Sequence, residues 1–228
     1  YRGTEFRPKG SPVLNLRAAK ALPAGADRDD LQLIGRLNQR YADRYPRAAD
    51  LETRIRNYEL AARMQLAAEQ NLDLSRETAE TKRLYGLENP VTAEYGTQCL
   101  MARRLVEAGV RFVQIMNKPH NPWDHHGNLK KRLPETCAAT DQGSGALIAD
   151  LKRRGLLDET LVLWVGEFGR LPTSQGGTGR DHNMHAFTAL AAGGGLKAGH
   201  VHGATDAFGH RAEVDAISVL DLLATMLH

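Results

Sequence analysis

Three short stretches hold most of the ligand-type side chains of this chain. They are His120-Asn121-Pro122-Trp123-Asp124-His125-His126, Gly166-Glu167-Phe168-Gly169-Arg170 and Gly179-Arg180-Asp181-His182-Asn183-Met184-His185. Together they contain five of the nine histidines, two aspartates, one glutamate and two arginines. Imidazoles and carboxylates in this mixture are ligands of Zn, Mn and other borderline cations. Asp124, His126 and His182 are candidate metal ligands. Glu167 is a candidate ligand or acid/base, and Arg170 and Arg180 are candidates to hold an anion by bidentate bonds. Each residue also has a plainer reading. Asp124 and His126 organise a loop through Asx-type bonds. Glu167 is a buried carboxylate paired with Arg170 or Arg180, a costly arrangement better explained by a ligand. Asp181 and His182 form a pair in which the carboxylate fixes an imidazole tautomer. His185 is a surface histidine, and His125 faces away from the others.

These stretches need elements to bring them together. The spacing of Ile34, Leu37, Tyr41 and Tyr45, and of Leu51, Ile55, Tyr58, Ala62 and Leu66, predicts amphipathic helices within 28–107, separated at Pro46. A third helix is expected from Asn89 as N-cap and Pro90 at its first position to about Glu107, ended by Gly109. Val110–Met116 alternates as a strand does, about Pro134–Arg154 reads as a helix, and Thr160–Val165 reads as a strand buried on both faces. Strand, helix, strand implies a parallel βαβ unit, so 110–228 is expected to be an α/β core with metal-type loops. The Gly-rich excursion 166–185 has no helical stripe, so the strand Ala186–Ala191 should return antiparallel. In open α/β sheets ligands collect beyond the carboxyl ends of the strands, where all three stretches then fall.

Composition bounds the rest. The 228 residues are 42% hydrophobic and 25% charged, with a net charge of +3, ordinary for a globular chain. That charge is too weak and dispersed for a nucleic-acid partner. No apolar run approaches the ~20 residues of a membrane span. The chain starts at Tyr1 and stops at His228 inside an apolar helical stretch, and reads as a piece of a longer protein. Such a piece, with an unpaired strand edge, is expected to be poorly soluble. Cys99 and Cys137 read as unbridged core residues, and no C-x-x-C pair exists. Gly143-Ser144-Gly145 lacks the preceding strand of a phosphate loop. Gly193-Gly194-Gly195 reads as a turn.

Longer phrases carry a resemblance. Tyr58-Glu59-Leu60-Ala61 with Met64-Gln65, Ala102-Arg103-Arg104-Leu105-Val106-Glu107, Trp123-Asp124-His125-His126, Gly155–Val162, Gly166-Glu167-Phe168-Gly169-Arg170 and Gly179-Arg180-Asp181-His182-Asn183 resemble the bacterial domain-of-unknown-function family fifteen hundred and one. The resemblance spans essentially the whole chain. It implies a protein about twice this length, often exported, with a three-layer alkaline-phosphatase-like sheet and a place in the alkaline phosphatase and sulfatase superfamily. By that analogy Asp124 and His126 match one ligand pair and His182 a later ligand. Glu167 stands where a further Asp belongs, and Phe168 replaces its His partner. The analogy implies a divalent metal (Zn, Ca or Mn) and an anionic small-molecule or saccharide ester substrate. The expected function is a sulfatase- or phosphatase-like hydrolase; the alternative is a non-catalytic exported binding or scaffold protein.

Overall fold

The computed structural model describes residues 5–10, 26–45, 53, 55, 57, 71–117 and 122–227. The second predicted helix, the first residues of the chain and His120 fall largely outside them. The chain divides into two units, Tyr1–Arg76 and Glu77–His228.

In the first unit, α1 spans Ala26–Arg44 as its three-and-four spacing requires. Its large apolar side chains, Leu31, Leu33, Ile34, Leu37 and Tyr41, stay 41–54% exposed. Tyr41 and Tyr45 stack on each other, ring centroids 4.7 Å apart.

The second unit is built on two packed helices. A short α2, Ala79–Leu84, is capped by Thr78, whose hydroxyl accepts the Thr81 N–H at 3.1 Å. Then come α3, Ala93–Glu107, and α4, Leu129–Arg153. The α3 boundary is later than predicted. Asn89 spends its side chain on the Val91 N–H (3.0 Å) in a turn, and Thr92 is the N-cap. Its end is as predicted. Gly109 adopts φ +87°, and the N–H groups of Gly109 and Val110 return to Val106 and Leu105. Pro134 lies inside α4 rather than at its start. The earlier start is fixed from outside the helix, because the Thr178 carbonyl takes the Leu129 N–H at 2.9 Å.

α3 and α4 approach closely at Gly96 and Gly143. A Cβ on Gly143 would meet Tyr95 Cδ1 at 2.9 Å and Gly96 Cα at 3.3 Å; one on Gly96 would collide with the Tyr85 carbonyl. Around this crossing Tyr85, Cys99, Leu100, Leu105, Leu147 and Leu151 are buried. The buried face of α4 runs through Thr140, Gly143, Leu147 and Asp150, not through Cys137, which is exposed. Both cysteines are free, as expected. Burial pushes the Cys99 thiol up to about 12, although Tyr95 hydrogen-bonds to it. A colorimetric disulfide reagent should therefore titrate Cys137 quickly and Cys99 only after unfolding. Two fast thiols would show that this core is open.

The same interface buries charge. Arg103, 2% exposed, pairs with Glu77 (2.6 Å) and Glu107 (2.5 Å), and its Nε lies 3.1 Å from Asp150 Oδ2. Asp150, fully buried, also accepts from Tyr85 Oη (3.1 Å), Arg153 (2.8 Å) and Arg154 (3.0 Å).

The sheet differs most from expectation. Val110–Met116 forms no ladder and leaves Phe112 and Met116 exposed, so the parallel βαβ unit is not present among the described residues. They hold three two-stranded antiparallel ribbons. β1 (Val162–Trp164) pairs with β4 (Leu190–Ala192), Leu163 opposite Ala191. The antiparallel return predicted for 186–191 is present in this shorter form. β1 is not buried on both faces, since Trp164 is half-exposed. β2 (Gly169–Arg170) pairs with β3 (His182–Asn183), and β5 (Ala204–Thr205) with β6 (Ala212–Val214). α5, Val219–Leu227, is capped by Ser218 and buries none of its residues. No helix among the described residues is long and apolar enough to cross a membrane.

Candidate metal centre

Two loops, 122–128 and 171–181, meet side by side. The His125 carbonyl accepts the Arg180 N–H at 2.9 Å, and Thr178 supplies its carbonyl to Leu129 and its hydroxyl to the Asn128 N–H (3.3 Å). Gly179 makes this contact possible. It is buried, and a Cβ there would collide with the His126 carbonyl group. The β2–β3 ribbon sets the rest, placing Arg170 directly opposite His182. Gly169 is needed for the same reason as Gly179, because a Cβ there would collide with the Ala186 carbonyl.

The result is a triangle of ligand atoms. His126 Nε2 lies 3.0 Å from Asp124 Oδ1, His182 Nε2 lies 3.1 Å from the same oxygen, and the two Nε2 atoms are 3.1 Å apart. Hydrogen bonding alone does not satisfy this triangle. If both imidazoles carry Nε2–H toward the carboxylate, the two N–H groups face each other at contact distance. If one does not, its lone pair faces the carboxylate oxygen. A cation among the three atoms removes the conflict. Edges of this length suit donors bonded to a first-row cation at roughly 2.0–2.2 Å.

Asp181 completes the arrangement. Its Oδ1 lies 3.2 Å from His126 Nδ1, and its Oδ2 accepts the Gln175 N–H at 2.8 Å. A carboxylate on Nδ1 holds that proton and turns the Nε2 lone pair toward the triangle. The sequence pointed to Asp181 for this task, but on His182; it serves His126. The Asp181 carboxyl is lowered by the Gln175 N–H and by His126.

The other predicted residues fall as follows. Glu167 does not join the cluster. Its side chain is 65% exposed and its carboxylate meets Arg170 Nη2 at 3.3 Å. Arg170 donates to Asp124 Oδ1 at 2.5 Å. This hydrogen bond and that from His182 hold the Asp124 carboxyl down at about 2. Arg180 donates to the Gly179 carbonyl at 2.6 Å and borders an open groove of about 530 Å³ with Lys130 and Lys131, away from the triangle. His185 is exposed and outside the cluster. His125, also outside it, is 3% exposed with neither ring nitrogen hydrogen-bonded. Burial, then the charges of Arg132 and Arg170, favours its neutral form.

Phe168 is not a failed ligand. Its ring packs on His182 (centroids 4.2 Å) and lies 5.3 Å under the Arg170 guanidinium, so it orients both. Asn183 and Trp123 are supports that residue type alone did not mark. Asn183, 1% exposed, donates to the carbonyls of Gly209 (3.3 Å) and His210 (3.0 Å) and accepts the His185 N–H at 3.0 Å. Trp123 packs edge-on against Trp164 of β1, ring centroids 6.0 Å apart.

No curated protein and no solved structure matches this chain. One family does, described as a protein of unknown function (DUF1501), over residues 1–228. This corrects the resemblance in one respect. The match carries no superfamily, so the assignment to the alkaline phosphatase and sulfatase superfamily is unsupported, and the described residues form no three-layer sheet. The chain belongs to the DUF1501 family of proteins of unknown function across its whole length.

Proposed function

We propose that this chain holds one divalent cation on Asp124, His126 and His182 and acts as a metal-dependent hydrolase of an anionic ester. The observation that carries the reading is the closed triangle of Oδ1 and two Nε2 atoms at 3.0–3.1 Å, with Asp181 behind His126. Two nitrogens and one oxygen suit Zn or Mn better than Ca, which takes oxygen ligands. A cation with open positions polarises an ester oxygen or activates a bound water. The chain's own residues do the rest. Asp181 holds the His126 tautomer, Phe168 fixes the ring plane of His182, and Arg170 brings a guanidinium to the edge of the centre.

The experiment is metal analysis followed by an ester panel. The chain is expected to take up one Zn²⁺ or Mn²⁺. Asp124→Ala and His182→Ala are expected to lose it, and Glu167→Gln to keep it, because that carboxylate is tied to Arg170. Unchanged metal content in the first two variants removes the reading. One observation favours a second reading, a non-catalytic metal-binding protein: Glu167, the carboxylate expected as acid/base, is held by Arg170 and does not join the triangle. A loaded chain inert toward phosphate and sulfate esters would select it.

A further inference from the structure

Asp124 Oδ1 is crowded: Arg170 and His182 hydrogen-bond to it, and His126 Nε2, whose ring proton Asp181 holds on Nδ1, turns a lone pair against it. Arg170 Nη1 lies at 2.5 Å, His126 Nε2 at 3.0 Å and His182 Nε2 at 3.1 Å. The two oxygens of a carboxylate share about four lone-pair sites between them, roughly two each. The crowding sits on the atom that a cation on the triangle must share. A guanidinium and a dication on one oxygen also repel each other.

Arg170 already holds a second carboxylate on its other nitrogen. Its Nη2 is 3.3 Å from Glu167 Oε1, on an exposed carboxylate, and the Phe168 ring supports the guanidinium from below. Its side chain is 24% exposed, so one side opens to solvent. While Arg170 sits on Asp124 its charge is neutralised there. Moved off that oxygen, it keeps only the outer partner, and its planar fork is open to a tetrahedral oxyanion.

We propose that Arg170 couples the cation to an anion: a cation on Asp124, His126 and His182 displaces the guanidinium from Asp124 Oδ1 toward Glu167 and solvent, where it takes a sulfate- or phosphate-type group. The inference rests on the metal reading above and adds an order of events to it. Without a cation the Arg170–Asp124 ion pair closes the centre to oxyanions; with one, the centre opens to them. Coupling of this kind is reciprocal, so the anion must tighten the cation by the same factor.

The test measures Zn²⁺ affinity of the full chain by competition with a chromogenic chelator, with and without inorganic sulfate at constant ionic strength. Sulfate is expected to tighten Zn²⁺ by about fivefold or more, the lower range of such couplings. Arg170→Gln is expected to bind Zn²⁺ several-fold more tightly than wild type without sulfate, because the competing charge is gone, and to show no sulfate effect. Arg170→Lys keeps the charge but not the fork. It should lose at least half of the effect, and it carries the comparison if the glutamine variant does not fold. Zn²⁺ binding that ignores sulfate in the wild type overturns the coupling and leaves the metal reading standing. A sulfate effect of full size in both variants also overturns it, since the anion then sits on the cation alone. No Zn²⁺ binding in the wild type overturns the metal reading, and the coupling with it.

Discussion

Asp150→Ala is expected to destabilise the second unit by about 3–5 kcal/mol, the range for removing one partner of a buried ion pair. The carboxylate is fully buried and receives Tyr85, Arg153 and Arg154 as hydrogen-bond donors, with Arg103 Nε beside it. Its loss leaves the buried Tyr85 O–H without its acceptor and concentrates Arg103 on Glu77 and Glu107. Denaturant unfolding followed by helical circular dichroism measures the effect; a loss below 1 kcal/mol would show that the network closes over the gap. The pH dependence follows from the same group. Burial pushes the Asp150 carboxyl up, but hydrogen bonds from Arg153 and Arg154 and the charges of Arg154 and Arg103 outweigh it and hold it below its usual value. Glu77 is lowered in the same balance by Arg104 and Arg103. A lowered folded pKa stabilises above the unfolded value, roughly pH 4, and that contribution is lost as pH falls through the folded value. Acid should therefore weaken the wild type more steeply than Asp150→Ala.

Gly179→Ala is expected to weaken Zn²⁺ binding by two orders of magnitude or more while leaving the α3–α4 core intact. The added methyl group meets the backbone of His125 and His126, not a flexible side chain that can swing aside. The loops must separate, and this pulls His126 from His182 and from Asp181. Ligands have to be held within about 0.5 Å of their working geometry. Metal titration beside a thermal melt reads both quantities. Unchanged affinity would mean that the loops meet differently in solution.

What the residues revealed by themselves was uneven, for physical reasons. Helical spacing located α1, α3 and α4, because a buried stripe repeats along the chain whatever it packs on. It missed the start of α4, which is set by Thr178, fifty residues away from the N-cap Asn128. Alternation at Val110–Met116 expressed a strand tendency, but a strand needs a partner and none pairs with it among the described residues. That Asp124, His126 and His182 come together was legible from residue type and from the antiparallel return. Glu167 was not, since its place after an apolar run suggested burial, whereas the loop turns it to solvent. The roles of Gly179 and Phe168 depend on what lies across from them, which composition does not carry.

The bonds of Asn183 give the β5–β6 ribbon a reach beyond its own two strands. One amide grips the turn at Gly209 and His210 from the residue next to His182, and Ala212 adds a bond to the His185 carbonyl. The backbone on either side of His182 is therefore tied to that turn. If the proposed cation binds there, its residence time is expected to follow how often the β5–β6 ribbon opens, although none of the ribbon's residues is among the three proposed ligands.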